Sequence, residues 1–305
     1  MSTIPTLLPA LYDRFGSAVR EHVALGPFTS ARIGGPADVL LTVKSAEELS
    51  QAVEMLTEES LSYLILGGGS NILVSDRGVS GLVVLNRARG IRFMDDDRPS
   101  VRAESGTTFS NMANRCASKG FGGLEWAAAV PGSVGGAVYG NAGAFESDVA
   151  GTLKQVEVLS GSRRETWSCD RLGYSYRSSA LKRGEVKAII LAAAFSLVKA
   201  PQAELSRRVE EILMRRKATQ PPGASMGSMF KNPPGDFAGR LIEAAGLKGR
   251  RIGNAEISPI HANFFVNHGR ASADDVRALI ELARRDVLAR FGVELELEIE
   301  LVGEW

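Results

Sequence analysis

Ala129-Val130-Pro131-Gly132-Ser133-Val134-Gly135-Gly136-Ala137, followed closely by Gly140-Asn141-Ala142-Gly143-Ala144, packs two clusters of small residues into one short stretch. The segment around it, 120–144, is too irregular for a long helix and too poor in side-chain bulk for a strand. Loops of that length inside a compact domain are usually functional. Backbone stripped of side chains can lie against a flat, extended ligand carrying a diphosphate; the other reading is close packing of a helix on a sheet.

A second glycine loop lies upstream. Gly67-Gly68-Gly69-Ser70-Asn71 follows directly on Tyr63-Leu64-Ile65-Leu66, which reads as a buried strand. Glycines there let backbone amides converge on an anion, although a plain tight turn would use the same residues. No Gly-Lys-Ser/Thr follows, so this is not a P-loop, and the chain holds no Gly-x-Gly-x-x-Gly to support a Rossmann fold.

Outward from these loops the chain reads as three parts, 1–85, 86–199 and 200–305. In the first, Ser45-Ala46-Glu47-Glu48 is a capping box opening a helix with Leu49, Ala52, Val53 and Leu56 on one face, ending near Glu59. Ile72-Leu73-Val74 and Leu82-Val83-Val84-Leu85 add short strands. The second part is richer in strands, at 91–93, 101–103, 156–159 and 188–198, with one helix near 108–118. The third has a helix over about 203–217, a short one over 238–245 ended by Gly246, and a long one capped by Ser272 with Asp275 at its third position. Val276, Leu279, Ile280, Ala283, Val287 and Phe291 form its inner stripe, and Gly292 stops it. From Val293 to Leu301 apolar residues alternate strictly with Glu294, Glu296, Glu298 and Glu300, predicting a half-buried strand.

A chain of 305 residues exceeds what one core usually supports. Its net charge of +1 gives no pull towards nucleic acid or an anionic membrane, so any phosphate binding is local. Cys116 and Cys169 form no C-x-x-C pair, and with only three histidines, His22, His261 and His268, a metal site is not expected. The first twelve residues lack a basic region and a continuous apolar core, and no apolar run reaches membrane length. A soluble, cytoplasmic protein with reduced thiols is expected, with no obligate protein partner.

Chemistry concentrates in Gly227-Ser228-Met229-Phe230-Lys231-Asn232-Pro233, which sets a hydroxyl, an ammonium and an amide close together among small residues. Alone it hints at a site for a polar, anionic substrate. Arg177, in Gly173-Tyr174-Ser175-Tyr176-Arg177-Ser178, would alone be read as a surface arginine. Four glutamates share one face of the last strand, and alternation does not choose among them.

Taken in order, these motifs resemble the UDP-N-acetylenolpyruvoylglucosamine reductase family, from about His22 to Gly303, in its shorter subclass. Arg32-Ile33-Gly34-Gly35-Pro36-Ala37, Arg240-Leu241-Ile242-Glu243-Ala244-Ala245-Gly246-Leu247-Lys248-Gly249 and His261-Ala262-Asn263-Phe264-Phe265-Val266-Asn267 belong to the same likeness. It departs at Trp126, where phenylalanine is usual, and at Tyr139-Gly140. The resemblance implies an α+β chain. Two subdomains of the vanillyl-alcohol-oxidase-like, PCMH-type fold hold non-covalent FAD, and a C-terminal α+β domain binds substrate, its last strand returning towards the active site. Gly67, Gly68, Gly69, Ser70, Asn71, Pro131, Gly132, Ser133, Gly136 and Ala137 would cradle the diphosphate. Asn141, Ala142 and Gly143 would lie near the flavin ring, and Arg32 and Ile33 would also contact the cofactor.

The activity implied is NADPH-dependent reduction of the enolpyruvyl ether of UDP-N-acetylglucosamine enolpyruvate to UDP-N-acetylmuramate, a peptidoglycan precursor. By the same resemblance Arg177 would grip the substrate carboxylate, Glu298 would partner it, and Ser228 would donate the proton. Tyr176, Lys231 and Asn232 would bind substrate. Two other readings are a sugar or alcohol oxidase of the same superfamily, with covalently tethered flavin, and a non-enzymatic nucleotide-binding module without a flavin spectrum.

Overall fold

The computed structural model describes residues 4–305. Helices and strands intermix along the chain, and contacts divide it into two compact units, each assembled from three separate segments. The sequence-based boundaries at 85/86 and 199/200 both fall inside the first unit, which comprises the segment ending at Arg20, Leu40–Gly68 and Gly81–Arg215.

The first unit is built on a five-stranded antiparallel sheet in the order Arg163–Ser168, Leu153–Ser160, Ile189–Ser196, Ser100–Glu104, Ile91–Met94. Alternation decides which face is buried. Val156 pairs with Trp167 on one side and Ala193 on the other, and Ala193 pairs with Ala103. All four are buried, in one core with Phe109, Met112 and Cys116 of the helix Phe109–Ala117. Burial pushes the Cys116 thiol up to about 12, so it behaves as a small apolar side chain. The helix Ala46–Glu58 carries half of the expected capping box: the Ser45 hydroxyl accepts the Glu48 N–H at 3.1 Å, but the Glu48 carboxylate accepts the Lys44 N–H at 2.7 Å and not that of Ser45. Leu49, Ala52, Val53 and Leu56 are buried. Tyr63–Leu66 pairs in parallel with Val79–Asn86, from Tyr63↔Leu82 to Leu66↔Leu85, and delivers the chain into the first glycine loop.

The expected irregular stretch 120–144 carries short elements: a 3₁₀ turn, Glu125–Ala129, and a helix, Val134–Gly140. A further helix, Ile4–Phe15, forms despite Pro9 inside it and was not expected from the sequence. Its buried Leu7 and Leu11 supply the reason, since packing of an apolar stripe outweighs propensity.

The second unit comprises Glu21–Val39, Gly69–Ser80 and Arg216–Trp305. The long helix Ala273–Phe291 carries the expected capping box, the Ser272 hydroxyl accepting the Asp275 N–H while the Asp275 carboxylate accepts the Ser272 N–H. Val276, Leu279, Ile280, Ala283 and Val287 are buried, but Phe291 is exposed: it is the last helical residue before Gly292, whose φ is +68°. A three-stranded antiparallel sheet, Arg251–Ile252, Ala255–Ile257 and Phe265–Asn267, packs with that helix and with Ala238–Ala244.

Of the apolar residues in the C-terminal alternation, Leu295 and Ile299 are buried, Val293 and Leu297 are half-buried and Leu301 is exposed, and no continuous strand forms. Only Glu300–Val302 is a ladder strand, parallel to Ile72–Val74. The preceding residues run beside Ser228–Lys231, whose Lys-Asn-Pro-Pro continuation cannot extend a ladder. Among the described residues no helix is long and apolar enough to cross a membrane.

Candidate functional site

Within the first unit the two glycine loops meet backbone to backbone. A Cβ on Gly67 would lie 2.3 Å from the Ser133 hydroxyl oxygen, and one on Gly68 would lie 2.6 Å from the Gly132 Cα. No side chain fits either position, which is why glycine stands there. Gly132 has a φ of +102°, and its carbonyl accepts the Phe109 N–H at 3.0 Å, tying the loop to the buried first residue of the helix Phe109–Ala117. Ser133 caps Val134–Gly140 by accepting the Gly136 N–H at 3.3 Å, and Ala137 is buried, while Pro131 and Gly136 are exposed. Among the described residues the N–H groups of Gly68, Gly132 and Ser133 have no protein acceptor. A narrow cradle lined by such amides suits a diphosphate, so the residues present fit FAD.

Arg87 completes that wall and was not singled out from the sequence. It is half-buried, and its Nη1 donates to the Gly67 carbonyl at 2.7 Å. Burial lowers its guanidinium from the ordinary value, an effect the nearby Arg89 adds to. Its only signal in sequence is a charge placed directly after the buried run Leu82–Asn86.

The second half of the glycine-rich stretch ends at Asn141, in the left-handed region with φ of 46°. Its side chain is fully engaged: Nδ2 donates to Asp148 Oδ2 at 3.2 Å and to the Ser175 carbonyl at 3.1 Å, and Oδ1 accepts the Ala150 N–H at 3.0 Å. Asn141 therefore joins the 141–150 hairpin to the Tyr174–Ser178 turn. Ser175 and Ser178 exchange backbone hydrogen bonds at 3.1 Å, and Tyr174 anchors the turn from below through its hydroxyl, which donates to the Val138 carbonyl at 2.9 Å. Burial pushes the Tyr174 phenol well above its usual range.

Arg177 sits at the tip with φ of 55°, and its Nη2 donates to the Gly143 carbonyl at 2.6 Å. A Cβ on Gly143 would lie 2.7 Å from the Arg177 Nη1. Asn141, Ala142, Gly143 and Arg177 thus share one neighbourhood, with Tyr176 exposed beside it and its ring 5.3 Å from the guanidinium. Arg177, Asn141, Phe145 and Glu146 all hold positive φ, a concentration of uncommon backbone typical of functional sites.

In the second unit, Gly227-Ser228-Met229-Phe230-Lys231 lies between two supports. On one side is Asn263: its carbonyl accepts the Met229 N–H at 2.8 Å, its Oδ1 accepts the Phe230 N–H at 2.9 Å, and its Nδ2 donates to the Phe230 carbonyl at 2.8 Å. A buried side-chain amide here acts as a strand partner. On the other side are the C-terminal glutamates. The Lys231 N–H donates to the Glu296 carbonyl at 2.8 Å, and the Glu298 N–H donates to the Met229 carbonyl at 2.9 Å. Ser228 and Glu298 therefore sit on directly paired segments, both half-buried. The Lys231 ammonium, mostly buried, is paired with the exposed Glu296 carboxylate, which separates Glu296 from Glu298 in a way alternation did not.

Asn232 lies at the rim, its Oδ1 accepting the Ala238 N–H at 3.1 Å at the start of the short helix. His261 is structural: burial lowers its imidazole, and Nδ1 accepts the Asn263 N–H at 3.2 Å. Gly69 packs against the 26–35 loop, where a Cβ would lie 2.3 Å from the Phe28 carbonyl oxygen, and its own carbonyl accepts the Ser30 N–H at 2.9 Å. Arg32, with φ of 57°, and buried Ile33 belong to that loop, which Thr29 closes by accepting the Ile33 N–H at 3.2 Å. Asn71, whose neighbour Ser70 is half-buried, reaches the C-terminal segment, its Nδ2 donating to the Glu298 carbonyl at 3.0 Å. Two concavities of the first unit, one lined by Arg14, Lys44, Glu48 and Gln51 and the other by Asp95, Asp96, Arg98 and Lys154, hold none of the sequence-predicted site residues.

Comparison with known proteins agrees with this geometry. Residues 37–162 match the FAD binding domain, and residues 218–302 match the C-terminal domain of UDP-N-acetylenolpyruvoylglucosamine reductase. The chain is 43% identical to the UDP-N-acetylenolpyruvoylglucosamine reductase of Chloroflexus aggregans, over 93% of this chain and 97% of the relative. It is 42% identical to that of Rubrobacter xylanophilus, over 96% and 98%. The crystal structure of the reductase from Thermus caldophilus superposes with a TM-score of 0.78 at 37% identity, covering 93% of this chain and 99% of that one. An alkyldihydroxyacetonephosphate synthase structure, 14% identical over 66% of this chain with a TM-score of 0.50, shares the fold alone. The α+β, FAD-binding architecture implied by the sequence motifs is therefore the one present, and the chain belongs to the UDP-N-acetylenolpyruvoylglucosamine reductase family.

Proposed function

We infer that this protein is an NADPH-dependent flavoenzyme that reduces UDP-N-acetylglucosamine enolpyruvate to UDP-N-acetylmuramate. The observation that carries the reading is the pairing of Ser228–Lys231 with Glu296–Glu298, which brings a hydroxyl, an ammonium and a carboxylate onto two directly hydrogen-bonded segments. End-to-end likeness to the reductases supports it. FAD, reduced at the expense of NADPH, supplies the hydride for the terminal carbon of the enol ether.

The chain's own residues handle charge and proton. Hydride addition leaves negative charge on the carbon next to the carboxylate. We assign Arg177 to that carboxylate: a guanidinium offers two parallel N–H bonds, and Arg177 is already steadied on Gly143. Ser228 donates the proton; an alcohol is a weak acid, but the enolate it meets is strongly basic. Glu298 assists polarisation of the carboxylate. Lys231, Asn232 and Tyr176 bind substrate, while Gly67 to Asn71, Pro131 to Ala137, Asn141 to Gly143, Arg32 and Ile33 receive the cofactor. The three-part division of labour over 1–85, 86–199 and 200–305, and a cytoplasmic location without nucleic-acid, membrane or obligate protein partners, belong to the same proposal.

Purified protein should carry a dissociable flavin spectrum, and NADPH oxidation should rise steeply on adding UDP-N-acetylglucosamine enolpyruvate. A colourless protein that FAD does not reconstitute would sink the reading. Yellow colour retained after acid precipitation would favour a covalent-flavin oxidase instead.

A further inference from the structure

We propose that Asn71 is a positioning residue for Glu298, linking the first glycine loop to the carboxylate that assists reduction; this rests on the reading of Glu298 given above. The sequence offers Asn71 only as the end of a phosphate-type loop. Its contacts say more. The side-chain amide donates to the Glu298 main-chain carbonyl at 3.0 Å, across 227 residues of chain. The Asn71 carbonyl accepts the Glu300 N–H at 3.0 Å, opening the parallel pairing in which Glu300 faces Ile72.

Glu298 is thereby fixed from both sides. Its N–H is held by the Met229 carbonyl, next to Ser228, and its carbonyl by Asn71. No other side-chain amide is bonded to the 296–300 segment among the described residues. Ladder geometry alone does not reach this point, because the regular strand begins only at Glu300. Asn71 supplies the bond that a longer strand would have made. It also follows Gly69 and Ser70 directly, so displacement of that loop is transmitted to Glu298 by one residue.

The test uses full-length, FAD-loaded enzyme with the two half-reactions followed separately by stopped-flow absorbance. Asn71→Ala removes the donor but leaves the main-chain acceptor for Glu300. Asn71→Asp keeps side-chain volume, so the fold is retained, and it sets a carboxylate oxygen against the Glu298 carbonyl. Both are expected to slow reoxidation of the reduced flavin by UDP-N-acetylglucosamine enolpyruvate by about 10- to 100-fold, the scale on which small misplacements act. Bleaching by NADPH should fall far less.

In a double-mutant cycle, Asn71→Ala added to Glu298→Gln should slow reoxidation no further than Glu298→Gln alone, because both act through one group. Additive losses, an unaffected Asn71→Ala, or a defect confined to FAD affinity would each overturn the assignment while leaving Glu298 in its role. Glu298→Gln turning over at the normal rate would overturn both.

Discussion

Ser228 and Arg177 show how far single residues could be read. Nothing in the local pattern marks either one; each gained a role only through resemblance, and the structure then supplied its setting. Ser228 lies half-buried beside the Glu298 segment, so replacing it by alanine removes a hydroxyl without disturbing the backbone bonds of Met229 and Phe230. Ser228→Ala should still let NADPH bleach the flavin, while reoxidation by the enolpyruvyl substrate slows by about 10²–10⁴-fold, the usual contribution of a positioned proton donor. Turnover at the normal rate would remove Ser228 from that role. Arg177→Lys keeps the charge but loses both the planar fork and its bond to the Gly143 carbonyl. A fall of about 10²–10³-fold in kcat is expected, as for loss of one preorganised donor; a mild effect would count against two-point carboxylate binding. The tertiary bonds made by Asn263, Asn71 and Arg87 escaped the sequence reading for one reason. Their work is done across distant chain segments, and a single sequence carries no sign of which segments meet.

Elements with strong local signals were legible. The Ser45 and Ser272 caps, the stop at Gly292 and the buried stripe of the long helix follow from periodicity and capping chemistry. The last strand shows the limit: its alternation foretold the burial of Leu295 and Ile299, but Leu297 is half-buried and Leu301 exposed. A ladder also needs a partner of equal length, and Ile72–Val74 supplies only three residues. The five-stranded sheet holds another contact that its separate strands conceal. Arg102 and Glu157 lie on strands separated by Ile189–Ser196, whose Ala192 and Ala194 pair with Glu157 and Arg102 respectively. Those small side chains leave the guanidinium room to reach over and donate to both carboxylate oxygens, at 2.6 and 2.5 Å. Hydrogen bonding to Arg102 holds the Glu157 carboxyl below its ordinary value against the opposing effect of burial. A depressed carboxyl stabilises the folded state above its unfolded pKa, and that stabilisation is lost as pH falls through the folded value. Wild type should therefore exceed Glu157→Gln in stability by up to about 1 kcal/mol near pH 6, for a pair still partly in water, with the gap closing towards about pH 3. Urea midpoints at both pH values measure this, and a gap that stays constant would show that Glu157 is not shifted.

The molecule's two units are stitched from interleaved segments, and that was the least legible feature. Each boundary drawn along the sequence assumed that neighbours in chain are neighbours in core. In the second unit residues far apart in the chain share one core: Ala31, Ile33 and Leu73 are buried with Phe230, Leu279 and Ile299. Among the described residues Ile72–Val74 is the only ladder partner of Glu300–Val302, and Asp76 accepts the N–H groups of Ala273 and Asp274 at 2.9 and 3.1 Å, adding an anion at the start of the long helix. A segment consisting of Arg216–Trp305 alone would lose all of these. Leaving that helix start and that edge strand unpaired, and stripping apolar cover from Leu241, Leu279 and Ile299, removes several contributions of about 1–3 kcal/mol each. Since whole domains are stable by only about 5–15 kcal/mol, the excised segment is expected to keep helical far-ultraviolet dichroism but to lose fixed near-ultraviolet signal and a cooperative melt. A sharp, two-state thermal transition in that segment would mean that its core closes without the two upstream strips of chain, and that the family's C-terminal domain is an independent folding unit after all.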